Sequence, residues 1–360
     1  MSDDALPEPD RVPGAPHPRE ALRVIGQDTA IADFVSAAQA HRLHHGWLIS
    51  GPRGTGKATL AWSIAKWLLA DGTSSDLTTD AEAPVIRRIR ALSEPRLHLV
   101  RRPVDEKTQR LRAEITVDEI RRLQSFFHLS AAEGGRRVAI IDAADEMNQA
   151  SANALLKLLE EPPHDATILL VAHQPARLLP TIRSRCRELR LHPLDPQDMG
   201  HVLRDLGVDH DAAQLAALSG GSVGEALRLA GQDGLALYAR IIRLFAEYPR
   251  LDRRAAATLA EMAAGRASAD GDPFDLMITL LDRFLTRAAR TGLMGAPQPE
   301  AAEGEAATLV RISPDATAAR LWASAQAELS ARARAGRAVN LDPAALVLDM
   351  LIGLANQPAT

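Results

Sequence analysis

Cysteine is almost missing from this 360-residue chain, which has only Cys186. A lone thiol excludes an internal disulfide framework and any zinc site built from several cysteines, so no zinc is expected. Aromatic residues make up 3% of the sequence, so the cores must be assembled mainly from Leu, Ala, Ile and Val. No apolar run approaches the ~18 residues that a membrane-spanning helix requires. The amino terminus lacks the basic-then-apolar order of a secretory signal and has Asp3, Asp4, Glu8 and several prolines instead. An excess of positive charge is lacking too. The formal net charge of −4 argues against a uniformly basic nucleic-acid glove, though not against a local patch. These absences together imply a reducing, cytoplasmic location and no membrane partner. What is present is an ordinary globular balance, 46% apolar and 24% charged. The length exceeds what one core usually uses, so two or three domains are expected.

Residues 51–58 read Gly-Pro-Arg-Gly-Thr-Gly-Lys-Ala and follow the phosphate-loop pattern G-x-x-x-x-G-K-[ST] up to its last position. In that pattern backbone N–H groups cradle phosphates, the lysine reaches the β- and γ-phosphates, and the closing hydroxyl holds Mg²⁺. Gly51, Gly54, Thr55, Gly56 and Lys57 are thus candidate nucleotide-binding residues. Ala58 offers no oxygen, and Thr59 lies one helical step, about 100°, away from the required direction. The flanks support the motif. Trp47 to Ser50 has the profile of a buried strand, and Leu60, Ile64, Trp67 and Leu68 recur at helical spacing after the loop. Strand, glycine loop and helix is the order that points a helix N-terminus at an anion. The competing reading is a glycine-rich turn with an incidental lysine.

Residues 1–17, rich in Pro and Asp, are expected to be disordered. A helical pattern runs from Val24 to Ala40, and Asp71 to Pro84 reads as a loop. Residues 85–112 are crowded with arginine, which suits either a solvated face paired with acids or a binding patch. Thr116 and Glu119 have capping-box spacing at the start of a helix. Val138 to Asp142 and Thr167 to Val171 read as central strands of a parallel sheet, with an amphipathic helix from Ser151 to Leu159 between them, stopped by Pro162-Pro163. Strands alternating with helices imply a doubly wound α/β domain with a parallel sheet. Beyond about Pro193 strand signals cease. Residues 194–235 and 236–360 read as two helical units, the second interrupted by a Gly/Pro/Ala/Glu loop from Gly292 to Glu305. Near the end, Leu341, Ala345, Leu348, Met350, Leu351 and Leu354 suggest a core or oligomer-facing helix.

A nucleotide hydrolase needs a metal-holding acid, a base and a lid cation beyond the loop. Asp142, at the end of a strand, occupies the place of the first. The next position, where a glutamate would polarise the attacking water, is Ala143, and Ala144 follows. Asp145 and Glu146 come too late unless the backbone takes a different path, although the second acid could come from elsewhere in the fold.

Asn153-Ala-Leu-Leu-Lys-Leu-Leu-Glu-Glu-Pro-Pro163, followed by Ser184-Arg185-Cys186, resembles the bacterial clamp-loader family of AAA+ proteins. The resemblance extends more weakly from about Gly26 to Ala230. It implies an AAA+ P-loop α/β module over 18–192, a helical lid over 193–235 and an all-helical collar over 236–360. Such a chain would be a subunit of a heteropentameric ring belonging to the DNA polymerase III holoenzyme, which places a sliding clamp on primed DNA. Its partners would be gamma/tau-like ATPase subunits and a delta subunit.

Family members that hydrolyse ATP have Asp-Glu after the Walker B strand, Ser or Thr after the loop lysine, and an arginine in a lid Gly-Ser-x-Arg segment. Here the lid segment reads Gly221-Ser222-Val223-Gly224, and Ala172-His173 lacks the usual Thr or Asn sensor. The resemblance is therefore to a hydrolysis-deficient member, one that holds ATP or ADP without hydrolysis or holds none. By the same resemblance Arg185 projects into a neighbour's ATP site as an arginine finger supplied in trans. Spacing alone would read it as a surface arginine beside Arg183 and Arg187. Cys186 reads as a small buried hydrophobe. The four-cysteine zinc module that relatives often carry cannot be built here. Two other readings stand beside this one: an active gamma/tau-like ATPase that tolerates Ala58, and a stand-alone nucleotide-binding regulatory module.

Overall fold

A computed structural model describes residues 8, 11–12, 15–40, 42–105, 107–108, 110–128, 135–267 and 271–357. The chain divides into two compact units, Met1–Pro193 and Leu194–Thr360.

The first unit is a five-stranded sheet built from β1 (Gly46–Ser50), β2 (Leu97–Arg101), β3 (Arg137–Asp142), β4 (Ala166–Ala172) and β5 (Arg187–Arg190). The strands lie in the order β2-β3-β4-β1-β5, and every neighbouring pair is parallel. Its helices are α1 (Asp28–Gln39), α2 (Lys57–Leu69), α3 (Pro84–Arg90), α4 (Val117–His128), α5 (Gln149–Glu160) and α6 (Pro180–Arg183). The three central strands, β1, β3 and β4, are buried at every residue. Strand side chains alternate between faces, and this alternation separates two cores. Trp47, Ile49, Val138, Ile140, Leu169 and Val171 pack with α1, α2 and α3. Leu48, Ala139, Ile141, Ile168 and Leu170 pack with α4, α5 and α6. The expected doubly wound α/β sheet is therefore present.

The sequence showed β1, β3 and β4, but β2 and β5 were missed. Both are edge strands whose composition masks them. The β2 strand carries His98 and Arg101 and is largely half-buried. In β5 the order is Arg-Glu-Leu-Arg, and only Leu189 is buried. Charged residues on an edge discourage pairing with another chain, and they also remove the apolar signal of a strand.

The arginines between 85 and 112 divide largely among acids. Arg88 and Arg96 both meet the buried Glu94, at 2.8 and 2.9 Å. Arg90 lies 3.5 Å from Glu20, Arg102 2.8 Å from Glu146 and Arg112 3.4 Å from Asp105. Within the tail expected to be disordered, residues 1–7, 9–10 and 13–14 lie outside the described residues. Glu8 is 2.6 Å from the Arg19 guanidinium, and His17 is buried and accepts from the Arg19 backbone N–H at 3.1 Å.

The regular elements of the second unit among its described residues are helices: α7 (Pro196–Asp205), α8 (Ala212–Ser219), α9 (Val223–Gly231), α10 (Gly234–Phe245), α11 (Arg253–Met262), α12 (Pro273–Met294), α13 (Glu305–Ile312), α14 (Ala316–Ala338) and α15 (Pro343–Ala355). Seven of these start on a capping side chain that accepts a first-turn N–H: Asp195, Asp211, Ser222, Asp252, Asp272, Asp315 and Asp342. Residues 194–235 and 236–360 share this unit.

Phe245 and Phe284 lie 4.6 Å apart between ring centres, and Trp322 stands edge-on to Tyr248 at 5.5 Å. A fully buried Glu305 accepts from Tyr238 Oη at 2.6 Å, from Arg287 Nη2 at 2.8 Å and from the Ala301 N–H at 2.6 Å. The segment read as a loop from Gly292 is shorter than expected, because α12 continues to Met294. The buried stripe of α15 is Leu346, Val347, Met350, Leu351 and Leu354, whereas Leu341 and Ala345 are exposed.

Candidate functional site

The phosphate-type loop joins β1 to α2, so the parallel sheet delivers it at the C-terminal edge of a central strand, where ligands of open α/β sheets bind. Glycine is required by its backbone. Gly51 has φ +143° and Gly56 φ +88°, conformations that side-chain-bearing residues avoid. At Gly51 a Cβ would also meet the Leu191 carbonyl oxygen at 2.6 Å. Thr55 is buried, and its hydroxyl donates to the Pro52 carbonyl at 2.9 Å. Its own carbonyl accepts from Gln27 Nε2 at 3.3 Å, and Gln27 also exchanges bonds with the His192 backbone at 2.8 and 3.1 Å. Sequence reasoning missed this buried glutamine. Its only signal was a polar residue just ahead of an apolar helix.

Lys57 is 3% exposed and donates through Nζ to the carbonyl oxygens of Gly51, at 2.8 Å, and Pro52. Burial pulls its pKa down to about 8, against the pull of Asp142 and Asp145 and with help from Arg53. The loop lysine thus lies within electrostatic range of the strand-end Asp142. Ala58 and Thr59 follow on α2, half-buried. Asp142 ends β3, and Ala143 and Ala144 behind it are buried. The chain then makes a short 3-10 turn over Ala144–Glu146, which aims the two late acids at fixed partners. The Asp145 carboxylate accepts from the backbone N–H groups of His173, at 3.0 Å, and Gln174, at 2.9 Å. Glu146 pairs with Arg102 at 2.8 Å and with the loop's Arg53 at 3.9 Å. His173 is held neutral, its pKa lowered to about 4 by burial and by the nearby Lys57.

In the second unit, Ser222 caps α9 by accepting from the Glu225 N–H at 3.2 Å. Gly224 brings no cation, and Arg228, one turn further, is paired with Glu225 at 2.7 Å.

Arg185 lies elsewhere on the first unit. Its backbone follows α6 and precedes β5, and a Cβ at Gly46, the first residue of β1, would meet its carbonyl oxygen at 3.3 Å. The phosphate-type loop begins after the last residue of β1. Four steps of about 3.3 Å, roughly 13 Å, separate the two ends of that strand. The guanidinium is solvent-exposed, bound to Glu160 Oε1 at 2.9 Å and to the Thr181 carbonyl at 3.1 Å. Cys186 is half-buried against the core, and burial pushes its thiol up to about 12. It behaves as packing rather than as a nucleophile.

A family model described as "DNA polymerase III, delta subunit" matches residues 26–195. DNA polymerase III subunit delta' of Pseudomonas aeruginosa is 38% identical over 191 residues, 52% of this chain and 56% of that protein. The Bacillus subtilis subunit delta' is 34% identical over 212 residues, 58% of this chain and 61% of that protein. DNA polymerase III subunit tau of Escherichia coli is 30% identical over 223 residues, 60% of this chain and 33% of that protein. The chain thus spans little more than half the length of the delta' relatives it matches.

Proposed function

We propose that this chain, whose residues 26–195 match a DNA polymerase III delta-subunit family model and resemble delta' subunits, works as a hydrolysis-deficient, delta'-type member of the clamp loader. In this reading it joins gamma/tau-like ATPase subunits and a delta subunit in a ring that places a sliding clamp on primed DNA. Its own cleft does not hydrolyse ATP, and Arg185 completes a neighbour's. The observation that carries the reading is the location of Arg185: exposed, and at the opposite end of β1 from the chain's own loop. A cation held there lies away from its own phosphate loop, which supports a role toward a phosphate presented by a neighbour. A guanidinium supplied in trans can contribute about 10³–10⁵ in rate, and its planar fork suits phosphate oxygens.

Three features support hydrolytic deficiency. Ala58 lacks the metal-holding hydroxyl, Ala143 lacks the base, and both late acids are engaged elsewhere. The residues that would hold the phosphates of ATP or ADP are the backbone N–H groups of Gly54, Thr55 and Gly56, with Lys57. A nucleotide held there would act as a structural ligand only.

The test is ATP turnover, measured for the isolated chain and then with the gamma/tau-like and delta subunits added. The reading expects no turnover alone, co-elution of the subunits, and faster DNA-stimulated hydrolysis once this chain joins. Turnover by the isolated chain that Lys57→Ala abolishes would favour an active gamma/tau-like ATPase. Failure to co-elute would favour a stand-alone nucleotide-binding module.

A further inference from the structure

We propose that Glu160 is the positioning residue for Arg185, fixing its guanidinium at the surface before a neighbouring triphosphate arrives. The proposal rests on the reading of Arg185 as a cation supplied in trans.

An exposed arginine has four rotatable side-chain bonds, and much of its rotamer freedom is lost on engaging a phosphate. Here two contacts remove much of that freedom in advance. Nη1 donates to the Thr181 carbonyl, one turn back on α6, at 3.1 Å, and Nη2 meets Glu160 Oε1 at 2.9 Å. The first contact ties the side chain to α6, the helix that ends just before it. The second aims it, because it comes from a different element.

The fold fixes the Glu160 end of the pair with some care. Glu160 is the last residue of α5, which ends ahead of Pro162-Pro163. The preceding carbonyl, of Leu159, accepts from His45 Nε2 at 3.0 Å. Burial and the stacked His44 hold His45 below its ordinary pKa, so it serves there as a neutral donor. The other end is fixed as well: the Arg185 N–H donates to the Ile182 carbonyl at 3.1 Å, and the next residue, Cys186, is packed against the core. Gly46 sets the separation of the two ends. A Cβ there would meet Leu159 Cδ2 at 3.1 Å, the Arg185 carbonyl at 3.3 Å and Cys186 Sγ at 3.3 Å.

The strength of the pair suits the task. Both partners are solvent-exposed, 38% for Arg185 and 49% for Glu160, and exposed pairs are weak enough to exchange. A triphosphate carries more charge than one carboxylate and can take the fork from Glu160 without a large opposing cost. Pre-aligned side chains lose less freedom on engagement, so the gain falls on the rate rather than on assembly.

The test uses the complete reconstituted loader, with DNA-stimulated ATPase measured for Glu160→Ala, Glu160→Gln, Arg185→Ala and the double variant. Glu160→Ala is expected to lower kcat at the neighbouring site about three- to tenfold, with little change in KM for ATP and with co-elution intact. Glu160→Gln, which keeps an oxygen acceptor, should recover part of the loss. In the Arg185→Ala background, Glu160→Ala should have no further effect. A full rate for Glu160→Ala beside a slow Arg185→Ala overturns the positioning role and leaves the trans-cation reading standing. An equal further loss in the Arg185→Ala background also overturns it, since Glu160 would then act by another route. A full rate for Arg185→Ala removes the premise itself.

Discussion

Raising the pH should stabilise the first unit through Lys57, and the size of the effect can be worked from its surroundings. The ammonium is nearly inaccessible and bonded to two loop carbonyls, and burial lowers its pKa from 10.5 to about 8. Below pH 8 the lysine is charged in both folded and unfolded chains, so the full cost of burying the charge is present. Between about 8 and 10.5 the unfolded chain holds a proton that the folded chain has released, so stability rises with pH across that window. At ~1.4 kcal/mol per pH unit the total is about 3 kcal/mol.

Urea unfolding of the wild type and of Lys57→Met, from pH 7 to 10.5, isolates the contribution. Lys66, whose pKa is also lowered to about 8 by burial, is present in both proteins and cancels in the difference. The wild type should gain about 3 kcal/mol relative to Lys57→Met over the window, most steeply between pH 8.5 and 10. A difference that stays flat with pH would refute the claim that the loop lysine is held desolvated against its own backbone.

Two further substitutions probe the scaffold. Gly51→Ala forces a side chain into a backbone conformation with φ +143° and against the Leu191 carbonyl at 2.6 Å. It should cost about 2–4 kcal/mol in chemical unfolding, and a loss under 0.5 kcal/mol would show that the loop relaxes freely. Glu305→Ala leaves Arg287 and Tyr238 buried without their shared acceptor. It should destabilise the second unit by about 3–5 kcal/mol, visible as an early unfolding transition, whereas an unchanged midpoint would show that the network contributes little.

The parts of the fold legible in the sequence were those where one physical demand dominated. Strands β1, β3 and β4 are buried on both faces and are therefore continuous apolar runs, and the loop's glycines and lysine are set by backbone geometry and charge. The edge strands were not legible, because Arg187, Glu188 and Arg190 satisfy solvent rather than a core. The site followed the same rule. Ala58 and Ala143 could be read as missing groups, since a motif fixes what should stand there. The engagement of Asp145 with the His173 and Gln174 amides depends on a turn that brings together residues 28 and 29 positions apart. Gln27 and His192 are joined across 165 positions, a distance over which no local pattern speaks. The pairing of Glu160 with Arg185 was hidden for the same reason, although both residues lay in segments that the sequence had marked.

The most direct measurement is the DNA-stimulated ATPase rate of the assembled loader carrying Arg185→Ala, with Arg185→Lys beside it. Normal assembly is expected, with a loss on the order of 10³-fold or more at the single neighbouring site. Lysine should restore little, because one ammonium cannot reproduce the guanidinium fork. An Arg185→Ala complex that assembles and hydrolyses ATP at the wild-type rate at every site would contradict the trans role of Arg185.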